Sequence, residues 1–518
     1  MNIVMVVSMV LCAAIGLWGV FDPDAMTAAA QALVNYSLTA LDWFFLLLCT
    51  FFFVFMMAIG FSRYGRIRLG GDDEVPEFST PSWVAMLFAA GMGSGLLFWG
   101  VAEPIYHFSS PPGGMAGETP EAARQAFVIT NFHWGLQAWS IYGCCALVIA
   151  YGTFRLGLPS MISTPILVGL KNVFTRPALK GIGSVADILA VVAVIFGLAG
   201  SLAMGTLMVR SGMHSVFGTD SGSTTISFMI LAALTVCFLL SASTGVDKGI
   251  KILSNINMIV AIVILLVVLF GGPTAYLFQV FVNSIGDYLI QFIPLSFKIY
   301  SFQPPASWNW FHGWTLTYLI WWLAWGPFVG IFIARISRGR TIREFVIFVV
   351  AVPTIVSMLW FAAFGGAAIH IELFGAGGLA EKVFSDVSAA LFAFFEYFPA
   401  TDMLNLLTVG LIFIFLVTSA DSGTFVISMM TSNGNLNPAV RVKLIWGLII
   451  TAITVGTLAT GSVSVAKAMA ITGAIPFTII VILQMAGFVR MIREDPQVKT
   501  PRTVVRSADG TPPERTAA

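Results

Sequence analysis

Three stretches of the chain carry groups that could do chemistry. The first, Ala89-Ala90-Gly91-Met92-Gly93-Ser94-Gly95, places glycine at three alternate positions. Each glycine weakens a helix by up to ~1 kcal/mol. Inside a bilayer, unwound backbone is tolerated only where it is buried in protein or lines a wet cavity. There its free carbonyls can hold cations and its free N–H groups anions. Close packing of helices through small residues is the competing use; the alternate spacing, ahead of Glu103-Pro104, favours a binding segment. The second stretch is aromatic. Trp134, Trp139 and Tyr142 form one cluster, and Trp314, Tyr318, Trp321, Trp322 and Trp325 fall along one face at helical spacing. Trp308, Trp310 and Trp314 suit an interfacial aromatic belt. Trp321, Trp322 and Trp325 lie midway along their apolar run, where two uses compete: aromatic core packing, and a cation–π cage of the kind that holds a quaternary ammonium. The third stretch is Phe415-Leu416-Val417-Thr418-Ser419-Ala420-Asp421-Ser422. Adjacent hydroxyls at Thr418 and Ser419 suit Na⁺, although such side chains more often bond to a neighbouring helix. Asp421 is either a functional intramembrane acid or the anchor of a helix end.

These groups need elements to position them, and the composition says which. The 518 residues are 58% hydrophobic and 10% charged, with a mean hydropathy of +0.91. A wetted soluble surface takes roughly 25% charged residues, so most of this surface faces lipid. The net charge of +1 gives no support to a nucleic-acid partner. A membrane helix needs ~20 mostly apolar residues. Twelve runs qualify: about 3–21, 40–61, 83–102, 125–153, 185–210, 224–242, 250–271, 312–334, 343–365, 404–431, 442–460 and 468–489. With a cytoplasmic N-terminus, 21 of the 26 basic residues fall in inside loops or the tail, and five fall outside: Arg124, Arg210, Lys298, Lys382 and Lys467. That asymmetry predicts twelve spans with both termini cytoplasmic. The run 3–21 lacks a basic n-region and a small-residue cleavage site, so it reads as a retained helix. Within the outside connection 273–311, residues 283–299 alternate apolar and polar groups and suit an interfacial helix. The tail 494–518 is polar and expected to be disordered. The five cysteines lie in apolar runs as packing residues. The five histidines show no paired spacing for haem or metal. No soluble module remains, so an enzyme is not expected.

The text around these motifs resembles the betaine/choline/carnitine transporter family. It reads Gly91-Met92-Gly93-Ser94-Gly95-Leu96-Leu97-Phe98-Trp99-Gly100-Val101-Ala102-Glu103-Pro104, then Phe132-His133-Trp134 followed by Trp139 and Tyr142. A longer match is Trp321-Trp322-Leu323-Ala324-Trp325-Gly326-Pro327-Phe328-Val329-Gly330, continuing through Phe345. The resemblance covers essentially all twelve spans. It implies an all-α integral membrane fold of the leucine-transporter type, with two inverted repeats of five spans (about 83–271 and 312–489) after two extra helices. Residues 1–493 then form one transmembrane domain.

By that resemblance Trp134, Trp139, Tyr142 and Trp322 would cage a trimethylammonium. Trp325 would line the cytoplasmic side of the path beside Trp321, and the Gly91, Gly93 and Gly95 backbone would face a carboxylate. One Na⁺ would be held by Ala89, Met92 and Phe415 through carbonyls and by Thr418 and Ser419 through hydroxyls. Sodium-independent exchangers of the family place an Arg where this chain reads Ser254-Asn255-Ile256-Asn257-Met258, which favours Na⁺ coupling. The two threonines of a second sodium site are replaced by Val194 and Leu198. Choline carriers of the family place an Asp at Gly95; its absence points to a zwitterion, such as glycine betaine, carnitine or dimethylsulfoniopropionate. The expectation is Na⁺-coupled uptake by alternating access, in an inner (plasma) membrane homotrimer. Substrate/product exchange, choline transport and osmosensing through the tail are the alternatives.

Overall fold

A computed structural model describes residues 2–91, 93–244 and 247–499. Met92 and residues 500–518 of the tail lie outside the described residues. The described chain is helical; its one β-type pairing is an isolated antiparallel bridge between Arg68 and Thr341.

Among the described residues, eleven helical segments are long and apolar enough to cross a membrane. The expected third span is not among them because it is two helices, Thr80–Gly91 and Ser94–Ser109, of 12 and 16 residues. Each alone falls short of the ~20 residues a crossing needs; end to end they suffice. Gly93 leads into the second half in an extended conformation (φ −144°, ψ 177°), with no side-chain cap. The alternate glycines thus mark a real break. A second break splits the fourth span at Gly135 into Pro120–Trp134 and Leu136–Ala150. The eighth runs as Pro305–Phe311, a π turn at His312–Leu316, and Thr317–Ile336. The twelfth is Val463–Thr472 followed by Ala474–Arg493.

The second helix is longer than its apolar run. It covers Pro23–Phe61 and is kinked at Leu41 (φ −129°), so the expected 40–61 segment is its second half. The helix in the connection after the seventh span is Thr274–Ser296. It buries Leu277, Tyr288 and Phe292 while exposing Val282, Leu289, Ile290 and Ile293, and it begins nine residues ahead of the expected 283–299 segment. Asp287 on it pairs with Arg124 at the start of the fourth span.

Spans three to twelve pack in a pattern that survives moving every span five places along. The fourth packs on the eighth as the ninth packs on the third. The fifth meets the eleventh and twelfth as the tenth meets the sixth and seventh. The fifth with the tenth, the sixth with the eleventh and the fourth with the ninth are pairs that map onto themselves. A five-span unit and a two-fold mate give this pattern. Five is odd, so the mate crosses the membrane in the opposite sense.

On the face rich in basic residues, the loops after the second and eighth spans zip together. Leu69 N donates to Arg340 O (2.8 Å), Gly339 N to Leu69 O (2.8 Å) and Ile342 N to Ile67 O (2.9 Å). Gly339 turns there at φ +80°; a Cβ on it would lie 2.4 Å from Val75 O. The ninth span, Ile342–Phe374, then starts on a capping box between Thr341 and Glu344.

Candidate functional site

The break at Gly135 decides where the fourth span aims its aromatics. Leu136 N, which starts the second half, donates to Tyr288 Oη from the amphipathic helix (2.9 Å). A Cβ on Gly135 would lie 2.4 Å from Asn131 O and 2.7 Å from Tyr288 Oη, so no larger residue keeps this bend. Trp134 ends the first half. Trp139 and Tyr142, one turn apart, share a face of the second.

These three rings meet Trp322 of the eighth span. Trp134–Trp322 centroids are 5.2 Å apart at 87°, Tyr142–Trp322 5.1 Å at 76°, and Trp139–Trp322 6.4 Å at 45°. Trp139 and Tyr142 touch edge to face at 5.5 Å. The rings meet edge to face or tilted rather than stacked, the geometry their quadrupoles favour. Phe361 of the ninth span abuts Trp134 at 5.3 Å. Trp134, Trp139 and Tyr142 are 7%, 2% and 5% exposed, and Trp322 is half-buried.

The glycine segment borders this box. A Cβ on Gly95 would lie 3.2 Å from Trp134 Cη2, whereas one on Gly93 would meet nothing within 4 Å. The backbone at Gly93 therefore faces open space beside the rings. Ala89 and Gly91 belong to the last turn of the first half-helix, and Met92 is outside the described residues.

Trp321 and Trp325 stand apart from the four rings. Trp321, 8% exposed, leans on Tyr318 at 6.1 Å. Trp325 packs on Phe328 at 5.4 Å and borders Gly197 of the fifth span, where a Cβ would sit 3.3 Å from Trp325 Nε1. Trp325 is one turn further along the helix than Trp322, toward the basic loop at Arg335.

Behind the box lies a polar network that residue types alone did not disclose. Trp134 Nε1 donates to Glu103 Oε2 (2.7 Å). Glu103 Oε1 is 2.6 Å from His133 Nδ1, whose Nε2 is 2.9 Å from Thr315 Oγ1. Trp322 Nε1 donates to His133 O (2.8 Å). The Glu103 carboxylate thereby orients one indole of the box and the His133 backbone carbonyl a second, and Glu103, His107 and His133 are all fully buried. Their ligand atoms lie within 4.8 Å of one another, as a metal site would need. Both Glu103 oxygens and both His133 nitrogens already have hydrogen-bond partners, so the set reads as an orienting network. The available signal was Glu103 itself, since an acid inside a span is functional by default.

On the tenth span, Thr401–Thr431, Thr418 Oγ1 donates to Ile414 O (3.0 Å) and to Phe415 O (3.1 Å). Its own lone pairs stay available to a cation. Val194 and Leu198 are buried, and Leu198 fills the notch over Gly423, where an added Cβ would lie 2.3 Å from its Cδ1. Asn257 Nδ2 donates to Leu411 O of the tenth span (3.2 Å).

The model of the betaine/carnitine/choline family of transporters matches residues 3–497. The chain is 41% identical to an ectoine/hydroxyectoine transporter of Virgibacillus pantothenticus, covering 91% of this chain and 92% of that protein. It is also 41% identical to the glycine betaine transporter OpuD of Bacillus subtilis, over 94% and 93% of the two chains. A probable glycine betaine transporter of Desulfitobacterium hafniense is 37% identical over 95% and 98%.

Proposed function

For a chain that belongs to the betaine/carnitine/choline transporter family, and is therefore a multi-pass membrane transporter of small solutes, we propose Na⁺-coupled uptake of a zwitterionic quaternary-ammonium or sulfonium solute, glycine betaine first. The box of Trp134, Trp139, Tyr142 and Trp322 carries the reading. A trimethylammonium cannot donate a hydrogen bond, so ring faces are its best partners. The glycine backbone beside Trp134 supplies free N–H groups for the carboxylate.

Alternating access moves the two first helices of the repeats about this box. The third breaks ahead of its second half-helix, at Gly93, and the eighth carries a π turn at His312–Leu316. Na⁺, held between Ala89, Met92, Phe415, Thr418 and Ser419, would stabilise the broken third span against the tenth. That would raise solute affinity by a coupling that is reciprocal. The stretch Ser254-Asn255-Ile256-Asn257-Met258, which carries no Arg where an exchanger would have one, supports coupling over exchange. Leu198 over Gly423 supports one such site rather than two. The 21 basic residues on one face support cytoplasmic termini, and the exposed apolar face of the Thr274–Ser296 helix is compatible with a homotrimer in the plasma membrane.

Uptake of labelled glycine betaine into proteoliposomes, with and without an inward Na⁺ gradient, tests the proposal. Uptake that needs the gradient is expected. Uptake indifferent to Na⁺ but stimulated by internal substrate would instead establish an exchanger. A panel of glycine betaine, carnitine, dimethylsulfoniopropionate, ectoine and choline then ranks the solutes.

A further inference from the structure

Lys467 is one of the five basic residues on the face poor in them, and its half-buried side chain turns its ammonium onto aromatic rings. It lies on the short half of the broken twelfth span, Val463–Thr472. Its Nζ is 4.3 Å from the centroid of Trp314, 5.1 Å from Trp99 and 5.6 Å from Tyr318. It also donates to Gly313 O at 3.0 Å, within the π turn His312–Leu316. Three spans thus converge on one protein ammonium: the third through Trp99, the eighth through Trp314 and Tyr318, the twelfth through Lys467 itself.

The rings under Lys467 continue into the solute box. Tyr318 is parallel to Trp314 (6.1 Å, 9°) and to His133 (5.0 Å, 9°). It meets Trp134 at 5.6 Å. A fixed positive charge therefore stands beside the path on the N-terminal side of the eighth span, one ring from the box. The anion nearest the box, Glu103, has its oxygens taken up by Trp134, His133 and His107, and Gly95 contributes no carboxylate.

We propose that Lys467 is a specificity-determining residue: a tethered ammonium that disfavours cationic solutes and favours zwitterions. A cation approaching the box past Trp314 and Tyr318 meets a like charge on rings whose cation–π capacity Lys467 already engages. A zwitterion brings a carboxylate that offsets the repulsion. Discrimination of this kind comes from a built-in repulsive element rather than from tighter contacts to the preferred solute. The proposal rests on the four-ring box being the ammonium site.

The test compares wild type with Lys467→Met and Lys467→Arg, all full-length and reconstituted in nanodiscs. Tetramethylammonium chloride, a cation without a carboxylate, is titrated at constant ionic strength and read by tryptophan fluorescence. The expected result is a Kd at least fivefold lower in Lys467→Met and within twofold of wild type in Lys467→Arg. Competition by choline should gain at least fivefold on competition by glycine betaine in Lys467→Met. An unchanged Kd in Lys467→Met, an equal shift in Lys467→Arg, or no tetramethylammonium binding by any of the three overturns the proposal. Lys467→Gln is read by the same criteria if Lys467→Met does not fold. The tetramethylammonium readout needs no transport, so wild-type uptake of glycine betaine fails or succeeds separately, as the check on the function proposed above.

Discussion

Aromatic residue types alone do not say which rings will meet; their places on the helices do. Trp321 and Trp322 are neighbours in sequence and about 100° apart on the helix. That angle turns Trp322 onto Trp134 and Tyr142 and turns Trp321 onto Tyr318. Trp322 is also fixed through its indole N–H by His133 O, so its ring is held in place before any solute arrives. Removing it should cost one or more cation–π contacts, ~1–2 kcal/mol, or roughly five- to thirtyfold in affinity. Trp322→Ala is therefore expected to raise the KM for the solute about tenfold, with Trp322→Phe intermediate because it keeps a ring but loses the hydrogen bond. Uptake kinetics on protein normalised for folded amount give the answer, and a KM within threefold of wild type would remove Trp322 from the cage. The aromatic residues of this box were legible in the sequence. Glu103 and His133 were visible only as residue types, because their roles depend on a meeting of the third, fourth and eighth spans that spacing along one chain does not encode. Lys467 was legible as an outside charge and nothing more, since its three rings come from two other spans.

At the scale of single elements, the sequence was most informative where it broke a rule of membrane helices. Alternate glycines announced the interruption at Gly93, and the interruption then removed the third span from any count based on helix length. The first half of the second helix was hidden for the opposite reason. Asp24, Gln31 and Asn35 keep residues 23–39 from reading as lipid-facing, although its alanines are strong helix formers. Gly135 is the least conspicuous break, a lone glycine between Trp134 and Leu136, and its effect is the largest on site geometry. Gly135→Ala places a methyl against Asn131 O and Tyr288 Oη, displaces the hydroxyl that caps Leu136 N, and shifts Trp134 relative to Trp139. It is expected to destabilise the protein by about 1–3 kcal/mol and to lower glycine betaine uptake at least tenfold. Gly286→Ala is the control: an added Cβ there meets nothing within 4 Å, and Ala favours a helix by up to ~1 kcal/mol. Thermal stability and uptake of the two variants should diverge; equal behaviour would show that the bend at Gly135 does not depend on glycine.

The whole molecule is a two-fold arrangement of five-span units, closed on its basic face by links that join distant parts of the chain. The loops at Ile67–Leu69 and Gly339–Ile342 tie the helix before the first unit to the second unit. A second tie involves the beginning of the tail. Arg155, at the end of the fourth span, donates through Nε and Nη2 to Asp495 (2.9 and 3.0 Å) and through Nη1 to Gly70 O (3.0 Å), and also pairs with Asp72. Tyr151 Oη donates to Asp495 as well (2.9 Å). Composition assigned residues 494–518 to one polar tail, yet Asp495 is 1% exposed and belongs to the folded body; a single buried carboxylate is below the resolution of a compositional argument. Burial would raise the Asp495 carboxyl, but hydrogen bonds from Arg155, Gln497 N and Tyr151 hold it below the ordinary carboxylate range. A group depressed in the folded state stabilises at every pH above its unfolded value, ~3.9, and loses that contribution only as pH falls further. The tie should therefore be intact across pH 5–8. Ending the chain after Lys499 keeps every described partner of this tie, and thermal stability should match the full-length protein. Ending it after Arg493 strips Arg155, whose side chain is 8% exposed, of its bidentate partner. With Asp72 still in reach, the loss should be smaller than the 3–5 kcal/mol of a fully broken buried pair, about 2 kcal/mol, and Asp495→Ala should reproduce most of it. Thermal unfolding of the full-length protein, the two truncations and Asp495→Ala in one detergent checks this at pH 7, where equal midpoints for the two truncations would show that Asp495 does not bind the tail to the body.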